Sequence, residues 1–151
     1  MDFTFGIITN GSSDDFVEIV INSILSQNIP NFEIIVVGNS NVKAENTRVI
    51  PFDETQRPMW ITKKKNIITN EAKFDNIVYL HDYVFLSKNW YDGFLKFGND
   101  FDVCMTKILN RDGSRYRDWT LWAFDVEPLG VKNKEFLLPY DFTNYNNFKI
   151  K

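Results

Sequence analysis

Asn76-Ile77-Val78-Tyr79-Leu80-His81-Asp82-Tyr83-Val84-Phe85-Leu86 is the stretch on which the chain turns. Its apolar run, bounded by turn signals, predicts a buried central strand that stops at His81-Asp82. The only histidine of the chain stands there beside a carboxylate. Such a pair is poorly placed for packing, because each side chain needs solvent, a partner or a ligand. Ligands of open α/β sheets sit beyond the carboxyl ends of the strands, so a site is expected at this edge.

Working outward, the alternation of strands and helices continues on the amino-terminal side. Phe3 to Thr9 reads as a strand, followed by a loop at Asn10-Gly11-Ser12-Ser13. Ser13 or Asp14 can cap a helix whose apolar stripe is Phe16, Val17, Ile19, Val20, Ile24 and Leu25. Phe32 to Val37 is nearly continuous in β-branched residues, as a parallel strand covered on both faces would be. Gly38-Asn39-Ser40-Asn41 is the loop after it, and Thr47 to Phe52 is a short strand near an edge because of Pro51. Thr62 is expected to cap a helix over Lys63 to Lys73, with Ile67, Ile68 and Ala72 inward. Beyond the opening stretch, a helix over 89–97 turns Trp90, Phe94 and Phe97 to one side. Strands are expected over 101–109 and 116–124, with a turn at 110–114 between them. The pattern predicts an open α/β fold, its mostly parallel sheet covered by helices on both faces.

At 151 residues this is one domain's worth of chain, read as a donor half over 1–97 and a partial second half over 98–151. The excess of 20 acidic over 17 basic residues excludes general attraction to nucleic acid. One cysteine, Cys104, excludes an intramolecular disulfide and a cysteine-based zinc site, and reads as a small buried hydrophobe. Met1-Asp2-Phe3 lacks the basic start of a signal peptide, and no apolar run reaches the roughly 18 residues of a membrane span. A cytoplasmic protein with no membrane span is therefore expected.

Three loops, after Thr9, Val37 and Leu80, leave strands that run the same way and should open on one edge. Thr9, Asn10, Gly11 and Ser12 let a planar ligand lie against backbone, or simply make a turn. Asn39 carries a donor and an acceptor suited to a nucleobase edge, or to an Asx turn. Lys63-Lys64-Lys65 opens a helix where cations oppose the helix dipole, which points to an anionic partner such as a diphosphate; an exposed lysine face is the alternative. Asp82 can bind a divalent cation or accept from ribose hydroxyls, with His81 as second ligand or as a locally satisfied imidazole. Asp118 and Trp119, with Arg115 and Arg117, suit a sugar, or form a surface ion pair beside a core indole.

Taken in order, Phe3 to Gly11, Ser23-Ile24-Leu25-Ser26-Gln27, Phe32 to Ser40, Lys64-Lys65-Asn66 and Tyr79-Leu80-His81-Asp82-Tyr83 resemble the opening of the family 2 GT-A glycosyltransferases. The resemblance covers residues 3 to 97. It implies the GT-A nucleotide-diphosphosugar fold, a nucleoside-diphosphate sugar (most often a uridine one) with Mn²⁺ or Mg²⁺, and transfer to a glycan, lipid or protein acceptor. It further implies that Thr9, Asn10 and Gly11 frame the base, Asn39 reads it and Lys65 reaches base or phosphates. Asp82 with His81 would hold the metal; Arg117 and Trp119, beyond the stretch the resemblance covers, are expected from their residue types alone to face sugar or acceptor. Three departures stand out. Gly38-Asn39 replaces a pair of aspartates, Tyr83 occupies a position that is often a metal-binding aspartate, and no Glu-Asp pair follows. Asp118 is then the acid nominated to take the acceptor proton. The expectation is a minimal or truncated donor-binding half, active as a transferase or serving as a nucleotide-sugar holder.

Overall fold

The computed structural model describes residues 1–116, 120–123 and 134–137. The chain divides into two compact units, Met1–Asn99 and Asp100–Lys151. The first runs β1 (Phe3–Ile8), α1 (Asp14–Leu25), β2 (Phe32–Val37), β3 (Thr47–Ile50), α2 (Ile61–Glu71), β4 (Asn76–His81) and α3 (Trp90–Phe97). Its four strands form one parallel sheet in the order β3-β2-β1-β4. Ile8 is in register with Val37 on one side and His81 on the other, so β1, β2 and β4 end level with one another.

Strand alternation assigns the faces. Gly6 and Ile8 turn toward α2, where Ile68 packs with Ile8, Ile35 and Val37. A Cβ at Gly6 would overlap the Ile68 side chain, so glycine is what lets α2 lie this close. Phe3 and Phe5 turn to the other face, where their rings meet Trp90 of α3, and Phe3 also meets Tyr91 and Phe94. Helices therefore cover both faces. This is the α/β class expected from the sequence, a parallel sheet with helices on both faces.

Several expectations are corrected. The central strand is β1, with all six residues buried; β4 is the outer strand of the described sheet and fully buries only Leu80. An apolar run reports burial but not strand order, and the order here is set by the crossovers. In α1, capped by Ser13, the inward face is Val17, Val20, Ile21 and Ile24, while Phe16 and Ile19 are exposed. Helix α2 begins at Ile61 after Trp60, with no side-chain cap, and buries Lys64 and Ile68. In α3 the buried pair is Tyr91 and Phe94, and Phe97 is exposed.

In the second unit no strand forms over 101–109 among the described residues, only a bridge from Leu109 to Arg115. The expected turn is present: Gly113 N–H donates to Asn110 O at 2.9 Å. Cys104 is half-buried, and burial raises its thiol pKa. Strand β5 (Thr120–Ala123) occupies the middle of the strand expected over 116–124 and pairs antiparallel with β6 (Lys134–Leu137), which the sequence pattern did not reveal.

Candidate functional site

Thr9 closes the edge where β1, β2 and β4 end. Its N–H bonds Val37 O at 3.2 Å, while Asp82 N–H bonds Ile8 O at 3.2 Å, so the sheet ladder runs one residue past the strands. The Thr9 hydroxyl donates to Asp82 Oδ2 at 2.7 Å and accepts from Gly11 N–H at 3.0 Å. Gly11 sits at φ +81°, with the position of a Cβ 2.5 Å from Asn39 O, and Gly38 at φ +146° packs its Cα against the Thr9 carbonyl. A side chain at either position would push the first two loops apart. The turns bearing Thr9–Gly11, Gly38–Asn39 and Asp82 therefore meet. Asn10 Oδ1 accepts from Ser12 N–H at 2.9 Å, so Asn10 shapes its own turn. Asn39 is exposed. Asp14, at the start of α1, accepts from Ser40 Oγ at 2.6 Å and from Asn41 N–H, and these bonds hold its carboxyl below the ordinary value.

Lys64, not Lys65, turns inward: it is 1% exposed, and its Nζ donates to Thr9 O at 2.6 Å and pairs with the Glu54 carboxylate. Phe52 lies under the same ammonium, 4.9 Å from ring centroid to Nζ. Burial would raise the Glu54 pKa, but the bonds from Lys64 and Met59 N–H leave it lowered. Lys65 lies over Tyr79, at 5.4 Å from the ring centroid.

His81 is in register with Ile8 and so shares the α2 face, stacked on Tyr83 at 5.2 Å. Burial and then the charges of Lys65 and Lys64 lower its pKa, outweighing the opposing pull of Asp82. Asp82 follows β4 in a turn, bonded to Thr9 through Oδ2. Among the described residues no cluster of three or more His, Cys, Asp or Glu side chains could hold a metal.

The Ser23 and Gln27 motif residues, quoted above for resemblance alone, have a visible task. Ser23 Oγ accepts from Leu86 N–H at 3.0 Å. Gln27 Nε2 donates to Ser87 O at 2.9 Å, and its Oε1 accepts from Tyr91 N–H at 3.1 Å. Helix α1 thus clamps the segment that leaves Asp82. A serine in the last turn of α1 and a glutamine just past its end were the available signal for this clamp. For Glu54, which follows Pro51 in a polar loop, there was none. Arg117, Asp118 and Trp119 lie outside the described residues.

No family model matches the chain, and no curated protein matches it. Among solved structures, TarS 1–349 from S. aureus is similar at 16% identity, covering 62% of this chain and 31% of that one, with a TM-score of 0.48. This chain thus spans less than a third of that neighbour.

Proposed function

We propose that the chain holds a nucleoside-diphosphate sugar, most readily a uridine one, across the carboxyl ends of β1, β2 and β4, as the donor-binding part of a glycosyltransferase. One observation carries this reading: the Thr9–Asp82 bond, at 2.7 Å, closes an edge at which Gly11 and Asn39 also touch. Small residues let a planar base approach backbone, and the exposed Asn39 offers it a donor and an acceptor. Asp82 keeps one oxygen on Thr9 and presents the other to a ribose hydroxyl. Lys65 supplies positive charge beside this edge for the diphosphate.

Asp82 and His81 would hold a divalent cation if one accompanies the donor, and no step is routed through it. Acceptor activation is assigned to Asp118, as nominated from the sequence. A second reading, a donor-holding module that works with a partner, is favoured by one feature. The carboxylates described at this edge, Asp82 and Glu54, are already engaged by Thr9 and Lys64.

Calorimetric titration with UDP, GDP and their sugars tests the donor site. UDP should bind, and Asp82→Ala should weaken it about tenfold or more, as loss of a charge-assisted hydrogen bond requires. Equal binding by both proteins removes Asp82 from the site. Hydrolysis of a bound UDP-sugar without acceptor separates an enzyme from a holder.

A further inference from the structure

Lys64 is buried behind the loop that carries Thr9, yet its charge is met by a carboxylate from an exposed segment. The loop from Pro51 to Trp60 is mostly solvent-facing, and the Glu54 side chain is itself 21% exposed. Glu54 spans two donors, with one oxygen on Lys64 Nζ and the other on Met59 N–H at 2.9 Å. A buried ammonium must keep an anionic or strongly polar partner, because a charge stranded away from water without one is strongly destabilising. Lys64 cannot follow a departing partner outward, since its Nζ is also tied to Thr9 O and its backbone is in the first turn of α2. Glu54 can leave, because its loop already borders water.

An anion arriving beside Thr9 therefore finds its cation occupied by a carboxylate that can be exchanged. The exchange is one anion for another, so no bare buried charge arises along the way. A diphosphate carries more negative charge than a carboxylate and gains more from the same ammonium.

Resting on the donor-site reading above, we propose that Lys64 recognises the phosphate of the bound nucleotide and that Glu54 is a built-in competitor, holding the phosphate position until the ligand displaces it. Glu54 thereby sets a threshold: weak anions do not dislodge it, and a diphosphate does.

The test is calorimetric titration of the full chain with UDP, inorganic pyrophosphate and uridine, using wild type, Glu54→Gln and Lys64→Met, with hydrogen exchange followed over residues 53–60. Glu54→Gln should bind UDP and pyrophosphate about tenfold tighter than wild type, the size of one charged hydrogen-bond partner, with uridine unaffected. Lys64→Met should lose UDP affinity by a similar factor. UDP added to wild type should speed exchange at the Met59 amide, the reverse of ordinary ligand protection, because Glu54 has let it go. If Lys64→Met does not fold, the Glu54→Gln and exchange results decide alone. UDP binding that is equal in wild type and Glu54→Gln, or slower exchange at Met59, would overturn the competitor and leave the donor site standing. An equal gain for uridine in Glu54→Gln would also overturn it, since uridine has no phosphate. No UDP binding by any folded variant would overturn both.

Discussion

Thr9 and Asp82 are 73 residues apart in sequence, and the hydroxyl of the first donates to the carboxylate of the second at 2.7 Å. The bond joins the end of the buried central strand to the turn after its neighbour, and it fixes one carboxylate oxygen. Lys64 holds the same Thr9 through its carbonyl, so a single residue is gripped at hydroxyl, carbonyl and amide.

Thr9→Val keeps the shape of this residue and removes its hydroxyl. Asp82 Oδ2 and Gly11 N–H both lose a partner, and stability should fall by about 1–3 kcal/mol in urea unfolding. Thr9→Ser keeps the hydroxyl and should lose less. Equal losses in the two variants would place the effect in the missing methyl.

Gln27→Leu should destabilise by about 1–3 kcal/mol, because Tyr91 N–H loses its acceptor and Ser87 O keeps only Trp90 N–H. Amide exchange should speed up selectively over residues 84–91, the segment that α1 clamps. Uniform acceleration throughout the chain would instead mean a global loss without a clamp.

The single imidazole makes pH dependence readable. Burial, then Lys65 and Lys64, depress the His81 pKa below the ordinary 6.5, so the unfolded chain binds the proton more readily than the folded one. The stability held by neutral His81 is full above 6.5 and is lost as pH falls through the folded pKa. The imidazole signal in an NMR titration should move below the ordinary value, and Lys65→Met should move it back up. A wild-type midpoint at or above 6.5 would contradict the assigned environment.

Gly38→Ala tests the closeness of the first two loops. At φ +146°, with Thr9 O in the path of a Cβ, alanine has no unstrained place. The cost should exceed about 1 kcal/mol, read as a lowered unfolding midpoint. An unchanged midpoint would mean that the loops can part freely.

Much of this arrangement was legible in the sequence, because the signals were local. β-Branched continuity located β2, turn residues marked its ends, and Ser13 announced α1. Strand order was hidden, since β4 has the apolar run of a central strand and yet flanks β1. The inward lysine was not foreseen for a related reason. Lys64 and Lys65 are alike in composition, and the α2 register that separates them is set by where Ile68 meets Gly6. The expected strand over 101–109 failed because Val103, Met105 and Leu109 are exposed: apolar content alone does not supply a pairing partner.

The convergence of three turns on one ligand is tested most directly by following backbone amides in a ¹⁵N-labelled sample as UDP is added. The amides of Gly11, Asn39 and Asp82 should shift together along one saturation curve. Shifts confined to one of the three, or centred elsewhere on the first unit, would contradict a shared pocket.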